Sequence, residues 1–406
     1  VKDSEVQVVR LNIFEPPRFF EAFLQGRHFN EIPSMVSRIC GICPVAHQMS
    51  SAHALEQALG IQVEGPLRDL RRVLYLGEWI ESHALHIYLL HAPDFAGCAD
   101  AIEMAKTYPV EVQRGLQLKK LGRDIMTVLG GRAIHPINLK VGGFYKVPQK
   151  AELAPLIEQL KWAIDAAMAT VYWVAKLPFP EYERDYEFVA LRHPTEYPVN
   201  EGRLVSTKGL DIPVSQYEDH FVEEQVAHSN ALHSRLIERG EYLVGPLARY
   251  NLNYDHLSDL TRELANEVGM SKVCRNPFQN ILVRSLELVY ACQEALQLLE
   301  AYQVPNRSAM EVVPHSGKGY SCTEAPRGML YHHYELDEQG MVVAAHIVPP
   351  TAQNQSAIET DLKQFVNENL ELSRHQLTWK CEQVIRNYDP CLSCATHFLT
   401  LDFDEE

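Results

Sequence analysis

The sequence has 406 residues, of which 46% are hydrophobic and 22% charged, ordinary proportions for a soluble globular protein with enough chain for a large core. A formal net charge of −16 excludes a surface that wraps nucleic acid, which requires a basic face. No apolar run reaches the about 18 residues of a membrane span, and nine cysteines are too sparse for a disulfide scaffold, so reduced thiols in a cytoplasmic setting are expected.

In chain order, Glu5 to Ile13 alternates and is β-branched, which predicts a strand. From Pro66 to Ala92, apolar residues recur three and four apart at Leu67, Leu70, Leu74, Ile80, Ala84 and Ile87, which predicts a helix. Gly130 to Gly143 is rich in turn formers and reads as a loop. Helical stripes follow at Leu153, Leu156, Leu160, Ile164 and Met168, and at Leu282, Leu288, Val289, Leu296 and Leu299. Pro314 to Gly328 reads as a second loop, and Tyr331 to Val348 as a hairpin turning near Asp337 to Gly340. The expected class is mainly α, a large helical bundle core with short peripheral β-hairpins. No linker or shift in composition divides the chain, so residues 1–406 are expected to form one interleaved domain.

Two Cys-x-x-Cys pairs stand at opposite ends of the chain. "RICGICPVAH" carries Cys40 and Cys43, and "DPCLSCATH" carries Cys391 and Cys394. Four thiolates suit a soft or borderline metal. Structural zinc is the common use of such a set, but zinc ribbons staple nearby segments. Here nearly the whole chain separates the pairs, which makes sense if both ends converge on one buried ion. From spacing alone, structural zinc, a catalytic transition metal and redox thiols all stay open.

The flanking residues extend the pattern. Together the two cysteine motifs resemble the metal-binding motifs of the nickel–iron hydrogenase large subunit. "HIYLLHAPDF", "GGRAIHPINLKVGG" and "EAPRG" resemble three further motifs of that family, in the same order. The wording around the cysteines is most similar to the cytoplasmic, bidirectional members. The resemblance implies that Cys40, Cys43, Cys391 and Cys394 hold nickel, and that Cys43 and Cys394 also bridge to an iron carrying carbonyl and cyanide. It implies that Arg327 lies above the metals, fixed by Asp94 and Asp389, with a terminal thiolate such as Cys391 or Arg327 itself taking the proton. His47 would hydrogen-bond the bridging Cys43 sulfur. Glu21 and His397, with a carbonyl near His346 to Val348, would hold magnesium or iron near the carboxy-terminus. The loop "IVPPTAQN" with Thr351 would face the iron's cyanides.

The activity so implied is reversible heterolytic cleavage of dihydrogen to protons and electrons. Cys98, Cys274, Cys292, Cys322 and Cys381 are scattered and lack iron–sulfur spacing, and no nucleotide-binding glycine loop is present. Electrons would therefore leave through the iron–sulfur clusters of a small-subunit partner, then through a flavin/iron–sulfur diaphorase-type module to a soluble acceptor such as NAD or ferredoxin. A dihydrogen-sensing regulatory subunit is the alternative; a metal-free relative is disfavoured by the four cysteines. Two departures stand out. The family's usual Arg-[Ile/Val]-Glu-Gly-His opening, with its proton-relaying glutamate, is expected to belong to a stretch ahead of Val1. "FLTLDFDEE" after His397 is expected to mark either an uncut precursor or a member that matures without cutting.

Overall fold

The computed structural model describes residues 6–13 and 18–390. Helices dominate it. After α1 (Arg18–Leu24) and α2 (Pro44–Ala58), the long helices α3 (Pro66–Leu85), α4 (Pro109–Gly130) and α5 (Lys150–Val174) follow, then α6 (Pro246–Asn253), α7 (Asn280–Ala301), α8 (Pro350–Asn367) and α9 (Arg374–Asn387). The helix α3 packs on α4 and α7, and α7 also packs on α5. Their apolar stripes are the predicted ones: Leu70, Leu74, Ile80, Leu153, Leu156, Leu160, Leu282 and Leu288 are all buried. The helical class is thus what the 3.6-residue period demanded.

Small antiparallel sheets accompany this bundle. Strands β1 (Val189–Arg192), β2 (Arg203–Ser206) and β3 (Asp211–Ile212) form one, and β4 (Phe221–Glu224) pairs with β5 (His233–Leu236). A third sheet contains β6 (Gly317–Ala325), β7 (Gly328–Leu336) and β8 (Val342–Val348) in the order β8-β7-β6. The hairpin β7–β8 is the one predicted. Strand β6 occupies a stretch that reads as loop, because its glycines hide it. At Gly319 an added Cβ would stand 1.8 Å from the Ala54 carbonyl oxygen, so α2 lies directly on the strand backbone. This sheet is inward rather than peripheral, since β7 is buried at all but one position.

The described part of Glu5 to Ile13, residues 6–13, has no regular secondary structure and joins no ladder. Its N–H groups go to side chains instead: Val6 donates to Asn367 Oδ1 at 2.6 Å and Leu11 to Glu359 Oε1 at 2.8 Å. The predicted strand is therefore not formed by the described residues of this stretch. No helix among the described residues is long and apolar enough to cross a membrane.

Candidate metal centre

The loop between Ser37 and Cys43 places Cys40 and Cys43 at the start of α2. Their sulfurs are 2.6 Å apart, and the Cys43 N–H donates to Cys40 Sγ at 3.1 Å. A disulfide would need about 2.05 Å, so these are two thiol sulfurs converging on one point. Cys43 is also the residue that precedes the first turn of α2.

Glu78 on α3 fixes this turn. Its carboxylate is buried and accepts from the N–H groups of Val45 (2.6 Å) and Ala46 (3.1 Å). Burial pushes its pKa well above the ordinary carboxylate value, against the pull of those two donors. Glu78→Ala is expected to leave two buried donors without an acceptor, at about 1–3 kcal/mol each, and to loosen the Cys40–Cys43 geometry. Thermal melting and metal content of the variant check both. The predicted Gly130–Gly143 loop supports the same turn. His135 Nδ1 lies 2.8 Å from the Ser37 carbonyl, and Gln48 Nε2 donates to the Pro136 carbonyl at 2.6 Å.

Opposite the sulfurs stands Arg327, 3% exposed, in the turn between β6 and β7. Its Nη1 donates toward Cys43 Sγ at 3.8 Å, and its Nε is 3.2 Å from Asp389 Oδ1. The turn is held from behind by Arg249 on α6, which donates to the carbonyls of Ala325 (2.8 Å) and Pro326 (3.1 Å). Arg249 is itself fixed by a bidentate pair with Glu287 at 2.7 and 2.8 Å. Gly245, at φ +120°, lets the neighbouring chain pass: an added Cβ would come within 2.9 Å of the Arg327 carbonyl oxygen.

Asp389 is fully buried and shared. Its other oxygen faces Arg284 Nη1 of α7 at 3.3 Å. Burial drives the Arg284 guanidinium down to about 10, with Asp389 opposing. Asp389 has φ +46°, in the left-handed region where few non-glycine residues sit and where functional sites concentrate strain. Two residues further on comes Cys391. Cys391, Cys394 and His397 lie outside the described residues, as do Glu5 and the "FLTLDFDEE" tail.

Two expected contacts differ. Asp94 does not meet Arg327; Arg386 of α9 holds it bidentately at 2.6 and 2.7 Å. Asp94 sits on the short helix Ala92–Ala96, which follows a π-helical segment, His86–His91, at the end of α3. Burial raises Asp94 to about 6 despite its partner. Likewise, His47 Nδ1 faces His332 Nε2 of β7 at 3.3 Å rather than the Cys43 sulfur. Burial lowers the His47 pKa to about 3, so the ring is neutral.

Thr351 stands in the first turn of α8 and lines one small cleft with Arg327, Asn354, Tyr388 and Pro390. Glu21 on α1 accepts from the Ile347 N–H of β8 at 2.8 Å, beside the carbonyls expected to join it. Neighbouring His346 has both ring nitrogens on carboxylates, Nδ1 at 2.7 Å from Glu218 and Nε2 at 2.9 Å from Glu223. Burial would lower its pKa, but the carboxylates win and raise it to about 10. The stabilisation is therefore complete below about 6.5 and lost as pH rises through about 10. Denaturant titrations of His346→Gln against wild type are expected to differ by about 1 kcal/mol at neutral pH, after solvent screening, and to converge above that upper value.

Sequence reasoning missed Glu78, Arg284, Arg249 and Glu287. The available signal was single charges in otherwise apolar helix stretches, such as Arg284 and Glu287 within "ILVRSLELVYAC".

Residues 18–119 and 238–397 match the family model described as nickel-dependent hydrogenase. The chain is 36% identical to the alpha subunit of sulfhydrogenase 1 from Pyrococcus furiosus, over 99% of this chain and 94% of that protein. It is 30% identical to a chain of the vhu F420-non-reducing hydrogenase of Methanocaldococcus jannaschii, over 89% and 92% of the two chains. Among solved structures, an NAD+-reducing [NiFe]-hydrogenase in the H2-reduced state superposes with a TM-score of 0.88 at 25% identity, covering 98% of this chain and 94% of that one.

Proposed function

The chain belongs to the nickel-dependent hydrogenase family, and from that premise we propose that it is the large, catalytic subunit of a nickel–iron hydrogenase that cleaves dihydrogen heterolytically and reversibly. The observation that carries this reading is the Arg327 guanidinium 3.8 Å from Cys43 Sγ, with Asp389 behind it. A cation facing a converged pair of cysteine sulfurs is suited to a reaction that separates a proton from two electrons.

The donor set fits the family's metals. Cys40 and Cys43 offer two converging soft sulfurs, and Asp389 leads directly into Cys391 and Cys394, which would complete a four-thiolate nickel site with Cys43 and Cys394 shared with iron. When bound, the two metals with carbonyl and cyanide ligands on iron supply the electron pair chemistry. Arg327 contributes fixed positive charge in a water-poor pocket. Asp389 keeps that guanidinium oriented and is itself held from the other side by Arg284. A cysteine thiolate such as Cys391, or Arg327, is the first proton acceptor. Asp94 acts at one remove by locking α9, which carries the chain to Asp389. Thr351 lines the cleft beside Arg327, and it or the neighbouring backbone would hydrogen-bond the iron's cyanides, while His47 supports the inner end of α2. Glu21, His397 and a β8 carbonyl would hold magnesium or iron, a reading supported by the position of Glu21 on the Ile347 N–H.

The relatives are named for one component of a multi-chain hydrogenase, which supports a partner in the form of an iron–sulfur small subunit. The likeness to an NAD+-reducing enzyme supports a diaphorase-type module and NAD or ferredoxin as acceptor, hence a cytoplasmic setting and a single interleaved large-subunit domain. The test that avoids the unknown acceptor is isotope exchange. The purified complex under D2 in H2O is expected to release HD, the product of heterolytic cleavage. Absence of HD from a complex carrying both metals would overturn the reading.

A further inference from the structure

We propose that His228, His233 and Glu359 form a second metal site, for a divalent first-row transition ion of the zinc class, apart from the cysteine centre. His228 lies in the 225–232 loop between β4 and β5, His233 opens β5, and Glu359 comes from α8, which packs on β5. One donor atom from each lies within 4.8 Å of the others. His228 Nε2 and Glu359 Oε1 are 2.7 Å apart. Ligands held at about 2.0–2.2 Å by one zinc stand about 3.0–3.5 Å from each other, so an ion needs only a small opening of this pair.

Two features distinguish this cluster from an ordinary ion pair. First, His233 is 6% exposed, and its Nε2 has no hydrogen-bond partner among the described residues. A buried imidazole nitrogen left so is costly and calls for a ligand. Burial also lowers the pKa of His233, which keeps the ring neutral, the form that binds metal. Second, the outer support is already built. The Leu11 N–H fixes the Glu359 carboxylate at 2.8 Å, and the Asn230 N–H donates to the Ile13 carbonyl at 2.6 Å, tying the loop beside His228. Such outer hydrogen bonds orient ligating carboxylates and histidines.

Two imidazoles and one carboxylate favour zinc or ferrous iron over magnesium or calcium. The side chains of His228 and Glu359 are 19% and 17% exposed, which gives an ion access and water for the remaining positions. The site is independent of the catalytic one. Glu359 lies eight residues beyond Thr351 on α8, about 12 Å along the helix. Both histidines fall between residues 119 and 238, outside the stretches that match the family. An ion here would clamp the amino-terminal segment to the β4–β5 hairpin and α8.

The test uses the assembled complex, equilibrated with zinc chloride, desalted and analysed for metals. Wild type is expected to keep one more zinc per chain than either His233→Ala or Glu359→Gln, with nickel and iron equal in all three. Glu359→Gln retains an oxygen for the Leu11 N–H, so it decides the matter if His233→Ala fails to fold. Removing a direct ligand is expected to weaken zinc binding by more than the about 10–100-fold that loss of an outer hydrogen-bond partner costs. Equal zinc in wild type and Glu359→Gln, with nickel and iron unchanged, would overturn the proposal and leave a His–Glu ion pair.

Discussion

Arg327→Lys is expected to lower dihydrogen turnover by about 10²–10³-fold, the usual effect of removing one positioned charge donor from an active site, with nickel and iron content unchanged. The guanidinium reaches two ways, from Nε to Asp389 and from Nη1 toward Cys43 Sγ. A lysine ammonium is a compact point charge and cannot span both directions at once. The fold is expected to survive, because Asp389 keeps Arg284 as partner at 3.3 Å. Isotope exchange and metal analysis on the same preparation separate the two effects: exchange falls while the metals stay.

Cys43→Ser is expected to do the reverse and remove the metals themselves. Serine replaces a soft thiolate by a hard hydroxyl, poorly matched to nickel and to iron with diatomic ligands. Activity should fall by more than the about 10–100-fold typical of outer partners, to background, with nickel lost. The substitution is local. Serine fits the volume at the start of α2, and Glu78 still accepts from Val45 and Ala46. A variant with full metal content and near-normal exchange would remove Cys43 from the site.

Much of this was legible before any coordinates. Leu70, Leu74 and Ile80 announce α3 because burying one face of a helix forces a 3.6-residue period on its apolar residues. The resemblance of the first cysteine motif and "EAPRG" to hydrogenase motifs implies that Cys40, Cys43 and Arg327 meet, and the structure brings these three together, while the second cysteine pair lies outside the described residues. What stayed hidden depends on tertiary contact. Gly317 and Gly319 look like loop residues until α2 is seen lying against them. The strand-like start of the chain finds Asn367 and Glu359 side chains in place of a neighbouring strand. Asp94 is in the motif that the resemblance picks out, yet its partner is Arg386, 292 residues away in the chain. Arg249 and Glu78 look like solvated helix charges because sequence cannot show that each has a buried partner. His228, His233 and Glu359 are 131 residues apart at their extremes and form no spacing pattern at all.

The most direct test of the central claim is metal analysis of the isolated complex combined with infrared spectroscopy of the same sample. The expected result is nickel and iron together with carbonyl and cyanide stretching bands, all lost in Cys43→Ser. Zinc held by the cysteines, with neither nickel nor bands in the wild-type complex, would contradict it.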